Sequence, residues 1–213
     1  MIEAHGAKAN VVPGNRDHCA EVCRTKVEKE GIYYANHVYN PFFYEGTKTY
    51  IYETYEQLGK IPGHIFVPLG NGTLFIGIMK ALEEFLQGGV IDTMPQVVIV
   101  QSERCQPFVK AMNKQAQDIT AEPVARTMAE GIAIGLPLRS EEILAYIYKH
   151  NVQGITIPED KILTARGKIA RQGIYCEHTT AAVYAGYEHY CEKFGQPAEA
   201  LLSMCGAGLK SDH

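Results

Sequence analysis

The sequence predicts an α/β protein with a doubly wound, mainly parallel sheet that carries helices on both faces. Short apolar segments alternate with longer helical stretches, and this alternation is typical of parallel sheets. Residues 96–101 (Gln-Val-Val-Ile-Val-Gln) form a β-branched run, as expected of a strand that is covered on both faces. Glycine-rich turns follow two strands, at Gly70 and at Gly206. Because ligands of such sheets bind at the carboxyl ends of the strands, we expect both turns to line one crevice.

The composition is that of an ordinary globular protein. The 213 residues are 46% hydrophobic, enough for one large domain or two small ones. The net charge of −4 is spread along the chain, which argues against a nucleic-acid-binding face or a membrane-surface helix. The N-terminus has no apolar signal core, and no stretch approaches the roughly 20 apolar residues that span a bilayer. We therefore expect a cytoplasmic protein with small-molecule partners and without nucleic-acid or membrane contacts.

The first residues predict a strand followed by a helix. Residues 8–12 are an apolar-ended segment, a Pro-Gly-Asn turn follows, and Asp17 is expected to cap a helix that ends at Glu30. Residues 2–8 resemble the end of a helix, so this part is interpreted as a remnant. We expect residues 1–30 to belong to a smaller domain and residues 31–213 to form the large one.

A second region, residues 31–62, is expected to hold a short strand, a loop and a helix. Residues 31–34 form the strand candidate. Residues 36–49 are rich in aromatic and polar groups without periodicity, which predicts a loop that is either functional or a cover for the core. A helix is expected from Thr49 to Leu58, ended by Gly59.

The Gly70 region has the pattern of a strand, a tight turn and a helix. Residues 65–68 are apolar, and a helical stretch continues to Leu86. The turn between them points backbone N–H groups into one small space at the positive end of the helix dipole, which favours a phosphate. A plain strand-to-helix turn is the alternative. The candidate phosphate-binding residues are Gly70, Asn71, Gly72, Thr73 and Leu74.

The rest of the chain supplies the remaining strands and helices. Strands are expected at residues 154–157 and 200–204, with an extended segment at 173–177. Helices are expected at residues 107–113, 141–148 and 158–172, and from Ala181 to Phe194 with Thr179 and Thr180 as caps. Residues 115–124 and the glycine-punctuated residues 129–137 are expected to be loops.

Cysteine and histidine spacing gives no sign of a metal site or a disulfide framework. The six cysteines are expected to be reduced and mostly buried. His37, His64 and His178 are interpreted as solvated or hydrogen-bonded rather than as ligands. The last helix carries an aromatic stripe that is expected to face the core: Tyr184, Tyr187, Tyr190 and Phe194.

Five segments, taken in their order and spacing, carry a family resemblance: residues 40–49, 67–73, 129–135, 173–182 and 205–210. Together they resemble the pyridoxal-phosphate enzymes of fold type II, most closely threonine synthase and its relatives. The resemblance implies pyridoxal 5'-phosphate as cofactor, with its phosphate on the turn at Gly70 and Cys205 facing the pyridine nitrogen, where relatives carry Thr or Ser. A neutral partner there suits elimination and replacement at the β or γ carbon. The alternative for Cys205 is a buried small residue at a strand end.

Two features depart from the family pattern. His178 replaces the Pro of a Glu-Pro-Thr-Ser-Ala motif, so Glu177 is interpreted either as part of that motif or only as a helix cap. The family's Schiff-base lysine, on a Ser-Phe-Lys-Asp-Arg-like motif, is missing. Lys48 is interpreted as an ion-pair partner of Glu45 or Glu53 rather than as that lysine, because its surroundings give no sign of desolvation. No catalytic residue is therefore assigned.

Two functional hypotheses follow. The chain is either the C-terminal portion of a threonine synthase-like lyase, acting on an amino acid such as O-phosphohomoserine, serine or threonine, or a non-catalytic truncated homologue that binds phosphate or cofactor or serves assembly. Exposed sheet edges would need covering in both cases. We expect a homo-oligomer or a complex with a lysine-bearing N-terminal partner chain.

Overall fold

The computed structural model describes residues 2–14, 16–121 and 125–211. It divides into two compact units, Met1–Asn40 and Pro41–His213. The first unit contains a 3-10 turn, Glu3–His5, and helix α1, Arg16–Glu30. The strands predicted at residues 8–12 and 31–34 are not formed, since neither segment pairs with a neighbouring strand among the described residues. Helix α1 ends at Glu30 as predicted, but it begins one residue before the expected cap Asp17.

The second unit is a parallel four-stranded sheet with helices on both faces, which confirms the predicted fold class. The strand order is β3-β2-β1-β4, and all three pairings are parallel. The strands are β1 His64–Pro68, β2 Gln96–Ser102, β3 Gln153–Ile157 and β4 Ala200–Leu202. The helices are α2 Pro41–Leu58, α3 Thr73–Gln87, α4 Pro107–Lys114, α5 Ser140–Lys149, α6 Glu159–Ala170 and α7 His178–Phe194, with 3-10 turns at Glu130–Ile132 and Gly208–Ser211.

Alternating residues of each central strand pack into two different cores. Ile65 and Val67 of β1 join the core that is built with helices α2 to α5. Phe66, between them, joins the core that is built with α6 and α7. This alternation is the direct result of the two-residue period of a strand. It explains why the central strands are apolar at nearly every position, as strands covered on both faces must be.

Helix α2 corrects the prediction of a loop over residues 36–49. The helix starts at Pro41, a residue favoured in the first helical turn because it has no N–H to satisfy there. Its buried stripe consists of Tyr44, Lys48, Ile51 and Thr54, spaced by four, three and three residues. The helical period was missed because one member of this stripe is a lysine.

Lys48 is held between α2 and α3 by two carboxylates. Its ammonium group pairs with Glu45 and lies 2.8 Å from Glu84 Oε1, while only 8% of the residue is exposed. Hydrogen bonds to these two carboxylates raise the pKa of Lys48 above its usual range. The interpretation of Lys48 as an ion-pair partner is confirmed for Glu45.

No helix among the described residues has the length and apolarity needed to cross a membrane.

Candidate functional site

The two glycine-rich turns follow neighbouring strands at the carboxyl edge of the sheet. Strands β1 and β4 pair in parallel with Phe66 opposite Leu202, and the Ser203 amide continues the ladder to the Phe66 carbonyl at 3.1 Å. Neighbouring strands are about 5 Å apart. Gly70, four residues beyond Phe66, and Cys205, three residues beyond Leu202, therefore both lie at the same edge of the sheet.

A buried glutamine fixes the backbone just before the first of these turns. The Leu69 amide donates to the Val100 carbonyl at 3.1 Å, and the Gln101 side chain donates to the Leu69 carbonyl at 2.9 Å. The Gln101 side-chain oxygen accepts the amides of Phe108 and Val109, at 3.0 and 3.1 Å. Gln101 is fully buried. Sequence reasoning missed its role because a polar residue at the end of an apolar strand gives no sign of which backbone groups it will contact.

The glycine turn, residues 70–73, opens onto the first turn of α3. Gly72 has φ of 78°, a conformation natural to glycine, and its carbonyl accepts the Ile76 amide at 2.8 Å. Within the described part of the chain, the amides of Gly70, Asn71, Gly72, Thr73 and Leu74 donate no hydrogen bond to a protein acceptor. These N–H groups lie at the positive end of the α3 dipole, the arrangement that favours an anion.

A second loop, the Gly131 loop of residues 129–137, packs directly against the glycine turn. A Cβ atom placed on Gly70 would lie 2.8 Å from the Gly131 carbonyl oxygen and 3.1 Å from Ile132 Cα. The Gly131 amide in turn donates to Thr179 Oγ1 at 3.2 Å. The prediction of an ordered loop here is confirmed, with a 3-10 turn at Glu130–Ile132 inside it.

A buried carboxylate holds the start of the Gly131 loop. Glu159, 5% exposed, accepts hydrogen bonds from the hydroxyls of Ser102 and Thr127 and from the Met128 amide at 3.0 Å. Burial alone would raise the pKa of the Glu159 carboxyl, but the three hydrogen bonds outweigh burial and lower it. The carboxylate is therefore charged at neutral pH and connects the ends of β2 and β3 to this loop.

Cys205 is exposed, so the alternative that it is a buried small residue is wrong. Strand β4 ends at Leu202, two residues earlier than predicted. The Cys205 amide donates to Thr180 Oγ1 at 3.0 Å, and its thiol lies 3.8 Å from the Ser203 carbonyl oxygen. The position of Cys205 is thus set by its backbone, and its side chain remains accessible at the carboxyl edge.

Thr179 and Thr180 do not cap α7 as predicted. The helix begins at His178, with Glu177 as N-cap residue and without a side-chain capping hydrogen bond. Both hydroxyls instead accept amides from the two loops just described. The prediction failed because the threonines lie inside the first turn, where their side chains can reach other elements.

The segment after Cys205 pairs with the segment before α7. The Glu177 amide donates to the Gly206 carbonyl at 2.9 Å, and Cys176 forms an antiparallel bridge with Ala207. A Cβ atom on Gly206 would lie 2.7 Å from the Glu177 carboxyl carbon, so the Glu177 side chain lies directly over Gly206. Two of the sequence motifs are therefore in direct contact.

Arg166 of α6 holds the same two segments from the outside. Its Nε donates to the Cys176 carbonyl at 2.8 Å and its Nη2 to the Gly208 carbonyl at 3.2 Å. The guanidinium lies over the Tyr175 ring, 4.6 Å from the centroid. Sequence reasoning gave no sign of this role, because Arg166 lies in a helix without any motif.

The remaining sequence expectations have mixed outcomes. His64 is hydrogen-bonded as expected, with Nε2 3.1 Å from the Tyr190 hydroxyl. Only Cys105 and Cys176 are buried, so the expectation that most cysteines are buried is wrong. The aromatic stripe of α7 packs into the core except for Phe194, which is 53% exposed. Among the residues that the structure describes, no group of three or more His, Cys, Asp or Glu residues could hold a metal ion.

Comparison with known proteins finds a matching family and related sequences. A family model described as "Pyridoxal-phosphate dependent enzyme" matches residues 1–206. Threonine synthase of Methanocaldococcus jannaschii is 32% identical over 210 residues, which are 97% of this chain and 52% of that protein. Threonine synthase of Methanosarcina acetivorans is 35% identical over 184 residues, 85% of this chain and 45% of that protein. The chain thus spans about half the length of the curated relatives it matches.

Solved structures share the fold at lower sequence identity. Maize serine racemase superposes with a TM-score of 0.80 at 14% identity, covering 98% of this chain and 61% of that one. The processed form of threonine deaminase isoform 2 from Solanum lycopersicum gives a TM-score of 0.79 at 20% identity, with 99% and 59% covered. The glycine turn and the Cys205 segment therefore lie on a fold found in other amino-acid enzymes.

Proposed function

Because this chain belongs to the family of pyridoxal-phosphate dependent enzymes, we propose that it forms the phosphate-binding and ring-binding part of an active site for elimination or replacement on an amino acid. The cofactor of the family is pyridoxal 5'-phosphate. The observation that carries the proposal is the row of five amides at residues 70–74, which lack protein acceptors among the described residues.

The residues present fit the phosphate of this cofactor. A Cβ atom on Gly70 would meet the Gly131 loop and one on Gly72 would meet Ile143, so the two glycines allow the backbone conformation in which the turn offers its N–H groups to an anion. The phosphate would accept N–H groups from Gly70, Asn71, Gly72, Thr73 and Leu74. Bound pyridoxal phosphate supplies an electron sink for the substrate carbon.

Cys205 is proposed to contact the pyridine nitrogen of the cofactor. Cys205 is exposed and follows β4, the strand next to β1, at the edge of the sheet where the glycine turn also lies. A thiol is neutral and a weak hydrogen-bond partner, so it would leave that nitrogen largely unprotonated. This favours loss or replacement of a side-chain group, and the resemblance to threonine synthase and its relatives implies O-phosphohomoserine, serine or threonine as substrate classes.

The lysine that binds the cofactor covalently is proposed to come from a lysine-bearing partner chain. Lys48 is unsuited to this role because Glu45 and Glu84 hold its ammonium group. Strand β4 pairs with β1 alone among the described strands. Beside it lies a groove of about 470 Å³, lined by apolar residues of β4 and its surroundings and by polar residues of α2, among them Leu201, Leu202, Thr54 and Gln57. An unpaired strand edge favours pairing with an additional strand. A cytoplasmic location and a smaller-domain origin of residues 1–30 stay predictions.

The first test is incubation with pyridoxal phosphate, reduction with borohydride, and intact mass measurement, alongside native mass spectrometry of the unreduced sample. We expect a noncovalent complex with the cofactor and no single-site covalent adduct. Inorganic phosphate should compete with the cofactor if the glycine turn is the site. A reduced adduct that proteolysis maps to one lysine would overturn the partner-lysine proposal.

The alternative is a non-catalytic module, and the missing lysine motif is the observation that favours it. As a phosphate- or cofactor-binding module it would bind these ligands without any turnover, and as an assembly module it would give an assembled protein without cofactor and without phosphate competition. A lysine-bearing chain that restores turnover on mixing would contradict this alternative.

A further inference from the structure

Two adjacent buried hydroxyls at the start of α7 lie between the two halves of the candidate site. Thr179 is 5% exposed and Thr180 is 1% exposed. Buried hydroxyls in a first helical turn often contact nearby backbone of their own helix. Here each accepts an amide from a different, distant loop. This arrangement needs an explanation beyond the stability of the helix.

Thr179 connects α7 to the glycine turn through the Gly131 loop. The Gly131 amide donates to Thr179 Oγ1 at 3.2 Å, and a Cβ on Gly131 would lie 2.6 Å from the same oxygen. A Cβ atom placed on Gly70 would in turn lie 2.8 Å from the Gly131 carbonyl oxygen. Displacing Thr179 would therefore move the wall against which the glycine turn packs.

Thr180 determines the position of the other half of the candidate site, the segment at Cys205. The Cys205 amide donates to Thr180 Oγ1 at 3.0 Å. Because Cys205 is exposed, packing of its side chain cannot fix its position. Its backbone amide supplies that constraint, two residues before the bridge at Ala207.

Helix α7 is a suitable common reference for both loops because it lies very close to the sheet. A Cβ on Gly186 would come within 2.6 Å of Val100 Cγ2. The Phe66 ring makes edge contacts with the rings of Tyr187 and Tyr190, at centroid distances of 5.4 and 5.3 Å. Interiors packed this closely transmit small displacements instead of absorbing them.

We propose that Thr179 and Thr180 are a pair of positioning residues, Thr179 for the phosphate end of the cofactor and Thr180 for the ring end. The inference rests on the proposed function and deepens it. Since the hydroxyls are on consecutive residues of one rigid helix, they fix the distance between the two ends. The pair therefore selects a ligand in which a phosphate and a heterocyclic ring are held at a set separation.

The test measures two ligands with two variants. Thr179→Val and Thr180→Val keep the side-chain shape and remove the acceptor, and Thr179→Ser and Thr180→Ser are the matched controls that keep it. Each protein is titrated with inorganic phosphate and with pyridoxal phosphate by calorimetry. Thr179→Val should weaken both ligands by about tenfold, the value of one hydrogen bond. Thr180→Val should weaken pyridoxal phosphate to the same extent but leave phosphate within about twofold, because its effect is at the ring end.

Amide hydrogen exchange supplies a readout that needs no ligand. Thr179→Val should accelerate exchange at Gly131, and Thr180→Val at Cys205, while the serine variants retain protection at both. Equal weakening of both ligands by both variants would overturn the division of roles. So would serine variants that behave like valine variants, since that would indicate general destabilisation.

The outcomes separate this inference from the proposed function. If the unmodified chain binds neither phosphate nor pyridoxal phosphate, the proposed function fails and the inference fails with it. If the unmodified chain binds both and the valine variants bind equally well, the inference alone is overturned.

Discussion

Replacing Gln101 by Leu should destabilise the protein more than any surface change, because one side chain satisfies three buried backbone groups. Leu has a similar volume, so the change leaves little cavity. It leaves the Leu69 carbonyl and the Phe108 and Val109 amides without their partner. Each buried group left unpaired costs about 1–3 kcal/mol, and neighbouring losses are not fully additive. We therefore expect the free energy of unfolding to fall by about 3–5 kcal/mol.

Urea denaturation followed by far-UV circular dichroism measures this loss. The chain has 13 tyrosines and no tryptophan, so tyrosine fluorescence gives a second probe. Gln106→Leu is the matched control, because the Gln106 side chain is only partly buried. Its partners, the Glu103 carbonyl and the Thr156 hydroxyl, can form hydrogen bonds with water instead. The control should cost about 1 kcal/mol or less. If both variants lose the same amount, or if Gln101→Leu loses less than about 1 kcal/mol, the argument from buried hydrogen bonds is refuted.

Three further predictions concern the site and its supports. Gly70→Ala should weaken binding of pyridoxal phosphate by at least about tenfold in a fluorescence titration, because overpacking against the Gly131 carbonyl must displace the turn. Gly46→Ala is the control: a Cβ atom there meets nothing within 4 Å, so this variant should bind the cofactor normally. The pKa of Glu159 is lowered in the folded state, so its stabilisation is present above the unfolded carboxyl pKa, about 4.3, and is lost as pH falls through the lower folded value. Thermal melts should accordingly show a smaller acid-side loss for Glu159→Gln than for the unmodified chain, and parallel curves would contradict this. Lys48→Met should lower the midpoint of urea denaturation. The difference in midpoint from the unmodified chain should shrink at high salt, because the paired carboxylates are half-exposed. A difference that does not depend on salt would indicate that Lys48 acts through packing instead of charge.

The strands and the glycine turn could be predicted from the sequence because their signals are local. A β-branched run, a glycine turn and a following apolar helix depend on neighbouring residues alone. Helix α2 could not be found in this way, because the charge of Lys48 interrupts its apolar stripe, and one of the two carboxylates that pair with it, Glu84, belongs to another helix. The predicted strands at residues 8–12 and 31–34 failed for the opposite reason, since their local pattern found no neighbour to pair with.

The sequence predicts Gly70 and Cys205 as residues of the candidate site but not the residues that support them. Gly70 and Cys205 stand out in sequence because they belong to motifs. Gln101, Glu159 and Arg166 act on backbone groups far along the chain, and such partners are visible only in the folded structure. For Thr179 and Thr180, residue propensity predicts helix caps, but tertiary contacts determine which groups their hydroxyls bind.

The place of β4 in the sheet also sets the order in which the site can be completed during synthesis. Strand β4 is the last of the described strands in the chain, yet its partner is β1, the first. A ribosome therefore produces the glycine turn early, whereas β4 and Cys205 follow only after α7 has been made. The supports of the turn, the Gly131 loop and Thr179 of α7, also follow it in the chain, so the candidate site can form as a whole only after Cys205 has been made.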